Sequence, residues 1–548
     1  MGRKKESAAG FVVQGSILAT ASILARIIGL IYRVPVTRII GDYGNGLYGF
    51  AFEVYSMMLL ISSYSLPTAI SKLVAARTHQ GQHKNAYKIF KAGLFFAITV
   101  GALAAAITFL LADFISGTIM KDGMIALSLR VLAPTIFIVA VMGVVRGYFQ
   151  GLGTMMPTAV SQIIEQIVNA FVSVIAAYYL FAYGTKVAQV LHNEDYGPAY
   201  GAAGSTLGTL LGAIIGLLFL LFMMLIYKRV LKRRIVKDRT IQTESYQQIY
   251  MLLFSTIVPI ILSTAVYNSS VFIDQTIFSN IMSSKGVENY TELFGVFTGK
   301  YRLLVNVPVS IASAMAASTI PSLTAAVAVK NKKLINKKIN ISIRFIMVIA
   351  FPCTVGLAVL GSPILQLLFN DKRELPANLL MVGSVAVILY SLSTLSNGIL
   401  QGLNRMKVPV RNAFISLVIH IIVVYVLLEF TNLNIYAVVI GNVVFALLMC
   451  ILNAWDIKKT TGYRQEIYKS FFVPLLSSVI MGVVAFAVYF LLEKLTKSNT
   501  ISFLIAFVLA AIVYVVVLLL LKGFTEEELA SLPKGTMLVR IAKKFHLI

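Results

Sequence analysis

KYRLLVNVPVSIASAMAASTIP, residues 300–321, opens a long apolar run with two cations. After Lys300 and Arg302 come about twenty residues drawn almost wholly from Val, Ile, Ala, Ser, Met and Leu, enough for a helix to cross a bilayer. A cation at such depth is costly unless it reaches an interface, meets an anion or faces water. The first apolar run repeats the pattern, with Arg26 and Arg33 interrupting ILARIIGLIYRVPV, residues 23–36. The remainder of the chain reads as a container for these charges: membrane helices around a wet, cationic cavity.

Composition fixes the class. The 548 residues are 58% hydrophobic and 13% charged, with a mean hydropathy of +0.85. Soluble domains carry about a quarter charged residues, so the chain is an all-α polytopic membrane protein. Its net charge of +25 is read as basic loops on the cytoplasmic side, not as a nucleic-acid surface. Cys353 and Cys450 sit in apolar stretches with no CxxC and no neighbouring His, so they read as buried thiols and not as a metal site. Arg3, Lys4 and Lys5 lead into a span that lacks a small-residue cleavage site, and that span is expected to be retained.

Fourteen apolar spans follow, at about 11–32, 46–66, 88–112, 127–149, 158–182, 203–227, 250–274, 299–325, 340–360, 378–401, 408–428, 434–455, 470–492 and 501–521. The loop after span two carries Lys72, Arg77, Lys84, Lys88 and Lys91. After span six come Lys228, Arg229, Lys232, Arg233, Arg234, Lys237 and Arg239, and after span eight Lys330, Lys332, Lys333, Lys337, Lys338 and Arg344. The loops after spans three, five and seven offer little beyond Lys121, Lys186 and Lys285. This alternation predicts a multi-pass protein of the bacterial plasma membrane with both termini in the cytoplasm.

The sequence also repeats itself at a period near 250 residues. FQGLGTMMPTAVSQII (149–164) returns as LQGLNRMKVPVRNAFI (400–415), and LPTAISKLVA, from Leu66, resembles IPSLTAAVAV, from Ile320. In each of the latter copies the proline is expected to close an even-numbered span. Corresponding spans are six apart and so share an orientation. The expectation is two parallel six-helix lobes, 1–240 and 241–460, with an extra helix pair and tail at 461–548. Parallel repeats place a substrate site at their interface and move by rocking.

Taken together, ARIIGLIYRVPVTRIIG, GLYGFAFEVY, LPTAISKLVA, the paired QGL turns and YRLLVNVPVSIASAMAASTIPSL resemble the multidrug/oligosaccharidyl-lipid/polysaccharide exporter superfamily. The likeness falls on its lipid II flippase branch and the SpoVB-like relatives of Gram-positive bacteria. It implies a MATE-like fold, and an alternating-access flippase whose partners are membrane lipids and an undecaprenyl-pyrophosphate-linked glycan. It further implies that Arg26 and Arg302 line the cavity and engage the diphosphate-sugar head. The family's second helix-one arginine falls near Tyr32 or Arg33, and its helix-two arginine has no counterpart between Phe50 and Leu66, where Glu53 is the only charge. In these flippases spans 13 and 14 form a groove for the polyprenyl tail; uniform apolarity fits two peripheral helices equally well.

On residue chemistry alone, Arg26 and Arg33 are seven apart and share a helix face. Guanidinium groups grip phosphate through paired hydrogen bonds. Arg33, Lys300 and Arg302 could equally be anchors at an interface. Glu53, Glu165 and Asp274 are candidates either for charge pairs or for carrying a coupling ion, Glu165 being the deepest. Asn169, Asn268 and Asn306 could hydrogen-bond sugars or tie helices together.

The sequence holds no phosphate-binding loop, no HExxH and no nucleophile–base pair, so the expectation is a transporter without cofactor or metal. Movement would then be driven by a coupling cation or by the membrane potential, about 2.3 kcal/mol per charge per 100 mV. Lipid II, another lipid-linked oligosaccharide and a multidrug cation remain as cargoes. The positive bias of Arg26, Arg33, Arg130 and Arg302 argues against the cation, and a non-transporting scaffold would leave those arginines unexplained.

Overall fold

The computed structural model describes residues 2–238, 240 and 243–523. Among them the regular elements are helices. They are α1 (Gly2–Ser62), α2 (Leu66–His79), α3 (His83–Leu110), α4 (Ile125–Gly151), α5 (Met156–Leu191), α6 (Tyr196–Val236), α7 (Tyr246–Ser284) and α8 (Tyr290–Val296). Then follow α9 (Arg302–Ala328), α10 (Lys332–Val359), α11 (Gly361–Phe369), α12 (Glu374–Gly383), α13 (Val385–Gly402), α14 (Lys407–Phe430), α15 (Ile435–Thr461), α16 (Val473–Thr496) and α17 (Asn499–Leu520). Among the described residues ten helices are long and apolar enough to cross a membrane: α3 to α6, α10, α13 to α15, α16 with its preceding turn, and α17. The other four expected spans fall mainly on α1, α7 and α9.

α1 holds two expected spans in one run because the break between them is a single residue. Gly41 has φ 68 and ψ −175, a region open essentially to glycine alone. The helix therefore stops and resumes without a loop.

The chain divides into two compact units, Met1–Gly299 and Lys300–Ile548. The boundary lies beyond the one expected at 240, because α7 and α8 pack on α1. Gln275 donates to the Phe50 carbonyl at 3.1 Å. A Cβ on Gly295 would stand 1.8 Å from the Asp42 carbonyl, and one on Gly46 2.0 Å from that of Thr291. Nor does the segment from 461 stand apart: within the second unit Tyr514 donates to the Val348 carbonyl at 2.6 Å, and Asn499 to that of Pro363 at 3.1 Å. The expected cytoplasmic tail, from 524, lies outside the described residues.

Within the first unit α5, of 36 residues, and α6, of 41, run tightly paired. Gly204, Gly208 and Gly212 repeat every four residues on α6, and a Cβ on any of them would come within 2.7 Å of α5. Such small-residue faces let membrane helices approach closely when dispersion, not water, drives association.

The internal repeat has a structural form. After α4 and after α13 the QGL segment ends the helix, and the third residue past its Gln is left-handed: Gly153 (φ 84) and Asn404 (φ 60). Gly153 donates its N–H to the Gln150 carbonyl and Asn404 to that of Gln401, at 3.0 and 2.9 Å. Gly147 and Gly151 then meet Pro67 and Val74, while Gly398 and Gly402 meet Ala316 and Leu323. The two copies thus register nearly one and a half helical turns away from the alignment of proline on proline. Pro67 also does not close the second span. The helix ends at Ser62, and Pro67 lies in the first turn of α2, where its missing N–H costs nothing. In the second copy α9 runs through position 321 unbroken.

Candidate functional site

In the first unit α1 sets Ser22, Arg26, Gly29 and Arg33 on one face, within about 60° of one another. α5 answers with a polar row. Ser22 Oγ donates to Gln162 Oε1 at 3.2 Å, and a Cβ on Gly29 would stand 3.7 Å from Gln166 Oε1. One turn further, Asn169 Nδ2 donates to the Tyr32 hydroxyl at 3.2 Å. Ile23, Ile27 and Ile31 are exposed about a third of a turn round α1, on a separate apolar stripe. Arg26 is exposed, but on the polar seam and off that stripe.

Arg33 is half-buried, with its guanidinium carbon 4.2 Å above the Tyr48 ring centroid. Its Nη1 is buried and carries no hydrogen bond. The ring supports the cation by a cation–π contact, and that buried N–H is left without an acceptor among the described residues. Asn169, 6% exposed, also accepts from Ser173 Oγ at 2.9 Å, so it ties helices within the unit. Asn268's side chain lies outside the described residues.

Of the three acids, Glu165 stands on α5 one turn from both Gln162 and Asn169. It accepts from Arg146 Nη2 at 2.8 Å, with side chains 20% and 13% exposed, while Arg146 Nε donates to Ser161 Oγ at 3.0 Å. Arg146 is absent from the residues picked out by sequence, although a lone cation within VMGVVRGYFQG carries the same signal that singled out Arg26. Asp274 is buried, 1% exposed, and Glu53 is half-buried on α1.

In the second unit Lys300, Arg302 and Asn306 lie at or just after a π-helical turn, Phe297–Tyr301; such turns recur at functional sites. Lys300 is buried, 5% exposed, and donates to Asp371 Oδ2 at 2.5 Å. Its charge is matched inside the unit by that carboxylate. Arg373 grips the same carboxylate through Nε and Nη2, at 3.0 and 2.8 Å. Burial works against the Asp371 charge, yet these donors hold its carboxyl well below the usual carboxylate range. Arg302 is half-buried and Asn306 exposed. The lone span histidine, His420, is fully buried with its ring edge-on to Phe445 at 5.7 Å.

The seam offers planar cationic donors beside amides and hydroxyls within a helix otherwise apolar. That suits an anion carrying hydroxyls, met at membrane depth.

The all-helical fold agrees with what similar proteins show. The profile of the polysaccharide biosynthesis protein family matches residues 12–327, and that of the MatE family residues 259–426. The chain belongs to the polysaccharide biosynthesis protein family, in the MurJ- and SpoVB-like branch of the exporter superfamily. Among its relatives is the lipid II flippase MurJ of Bacillus subtilis (strain 168), 28% identical over 85% of this chain and 86% of that protein. The stage V sporulation protein B of the same organism is 24% identical over 96% and 98%. Among solved structures, MurJ in an inward closed conformation superposes with a TM-score of 0.61 at 16% identity, over 91% of this chain and 97% of that one. An inward-facing MATE multidrug transporter gives 0.62 at 17% identity, over 81% and 99%. The fold is thus that of MATE and MurJ transporters. The chain is a multi-pass membrane transporter related to flippases of lipid-linked saccharides.

Proposed function

We propose that the chain is an alternating-access flippase. It carries undecaprenyl-pyrophosphate-linked saccharide, foremost the peptidoglycan precursor lipid II, from the cytoplasmic to the outer leaflet of the bacterial plasma membrane. The observation that carries this reading is the polar seam of α1, with Arg26 accessible and Arg33 held over the Tyr48 ring. A diphosphate needs paired, fixed donors, and guanidinium groups supply them. The MurJ relative supports the cargo. In this reading fourteen helices cross the membrane as two parallel lobes and an extra pair, with both termini cytoplasmic. Arg26 and Arg302 receive the headgroup, Arg33 assists, and Lys300 shapes the turn that presents Arg302. The membrane potential or a coupling cation drives the cycle, since an anionic head leaves a negative interior.

The test is rescue of cells depleted of their lipid II flippase. The parent chain is expected to rescue, and Arg26→Ala and Arg302→Ala to fail while inserting at parent levels. Rescue by both variants would overturn the cationic assignment. A second reading, transport of a different lipid-linked glycan, draws on Glu53 as the only charge from Phe50 to Leu66, where the resembled flippases carry an arginine. It predicts no rescue of the peptidoglycan defect by the parent chain, but rescue in a strain lacking a capsule-unit flippase.

A further inference from the structure

A cavity of about 650 Å³ opens in the second unit, well away in sequence from Arg302. Its walls are apolar: Ile343 of α10, Leu392 of α13, Ile451 of α15, and Ile467 and Phe471 from the connection into α16. Its rim is cationic, formed by Lys458 and Arg464, both exposed. Beside them stands Trp455, the chain's one tryptophan, 58% exposed and with Lys459 Nζ 5.3 Å from its ring. Tryptophan at a helix end marks headgroup depth.

The nearby carboxylates are spoken for. Asp456 accepts from Arg411 and Asn412, at 2.7 and 2.9 Å. Glu466 accepts from Asn340 at 2.7 Å and from buried Arg344, and these donors outweigh its burial and hold its carboxyl below the usual range. Among the described residues, Lys458, Lys459 and Arg464 are exposed and none of them forms an ion pair with Asp456 or Glu466, whose carboxylates are held by Arg411 and Arg344. An apolar hollow beneath a cationic rim at headgroup depth has the form of a phospholipid: chain within, phosphate at the mouth.

We infer that this cavity is a binding site for an anionic phospholipid of the leaflet bordering the chain's basic connections, separate from the transported substrate. The phosphate meets Lys458 and Arg464, and one acyl chain enters between Ile451 and Phe471. Occupancy would brace the α15–α16 connection, whose Arg464, Ile467 and Phe471 line the hollow.

The lone tryptophan makes the site readable in the full-length protein. Reconstituted into vesicles of matched acyl composition, Trp455 emission is expected to be quenched more by brominated phosphatidylglycerol than by brominated phosphatidylcholine at equal mole fraction. Each surface cation adds roughly a fivefold preference, so Lys458→Gln with Arg464→Gln should lower the preference by roughly twentyfold. Circular dichroism and size exclusion would confirm that the double variant remains folded. Equal quenching by both lipids in the parent, or a preference unmoved in the double variant, would overturn the inference. So would displacement of the brominated lipid by equimolar undecaprenyl pyrophosphate, which would make the cavity a substrate entry instead. The readout is binding, so it is independent of whether the chain rescues a flippase-depleted strain.

Discussion

Substituting Asp371 by Asn isolates what the Lys300 pair contributes. Lys300 is 5% exposed, so the substitution leaves an ammonium group with little access to water. Removing one partner of a buried pair costs about 3–5 kcal/mol, most of it the uncompensated charge. Arg373 binds the same carboxylate, but its side chain is 50% exposed, so Arg373→Ala is expected to cost about 0–1 kcal/mol. Joining Lys300→Met to Asp371→Asn removes the buried cation together with its counter-charge and should recover most of the loss. Thermal unfolding in a single detergent should therefore rank the parent, Arg373→Ala and the double variant together, with Asp371→Asn well below. The folded carboxyl titrates below its ordinary value of about 3.9, so its contribution is complete above that pH. It fades as pH falls through the lower folded value. The gap between parent and Asp371→Asn should then shrink below about pH 4. Equal stability of Asp371→Asn and parent at neutral pH, or a double variant no better than the single, would refute the reasoning. Flippase activity retained in the double variant would fit Lys300 as the shaper of the turn; selective loss of transport in a stable double variant would make it a ligand.

Arg26→Ala removes an exposed side chain, so unfolding should move by no more than about 0.5 kcal/mol, even where transport fails. Gly41→Ala forces a side chain into a glycine-only conformation and should destabilise by about 1–3 kcal/mol, measured by thermal unfolding. Arg146→Ala strands Glu165 and should lower stability, whereas Arg146→Met with Glu165→Gln should restore it; a cost that merely adds in the double variant would deny their coupling. Gly208→Val should push α5 and α6 apart, since even a Cβ there meets Ser173 Oγ at 2.1 Å, and should cut the yield of folded protein.

The helical class and the repeat were legible because bilayer thickness forces long apolar runs and because the QGL turns keep one left-handed residue at one offset. The register of the second repeat was not, since a proline can sit in a first turn as easily as at an end, and only the contacts of Gly147 and Gly398 show which. The boundary of the first unit depended on α8 docking against Gly46, a fit of backbone to backbone that composition does not encode. Arg26 and Arg33 were found because charge in an apolar run stands out. The Tyr48 platform and the Asp371 counter-charge were not, since they lie far from the groups they hold, 15 and 71 positions along the chain.

α5 and α6 rise about 54 and 62 Å at 1.5 Å per residue, nearly twice the hydrocarbon depth of about 30 Å. They stay joined to the tip, where Tyr196 crowds Gly184. A short peptide tag spliced at Asn193–Glu194 would therefore ride on a stiff mast clear of the lipid headgroups. An antibody could read which side of the cell it emerges from, and the same mast would give a small transporter a landmark for particle alignment in electron cryomicroscopy.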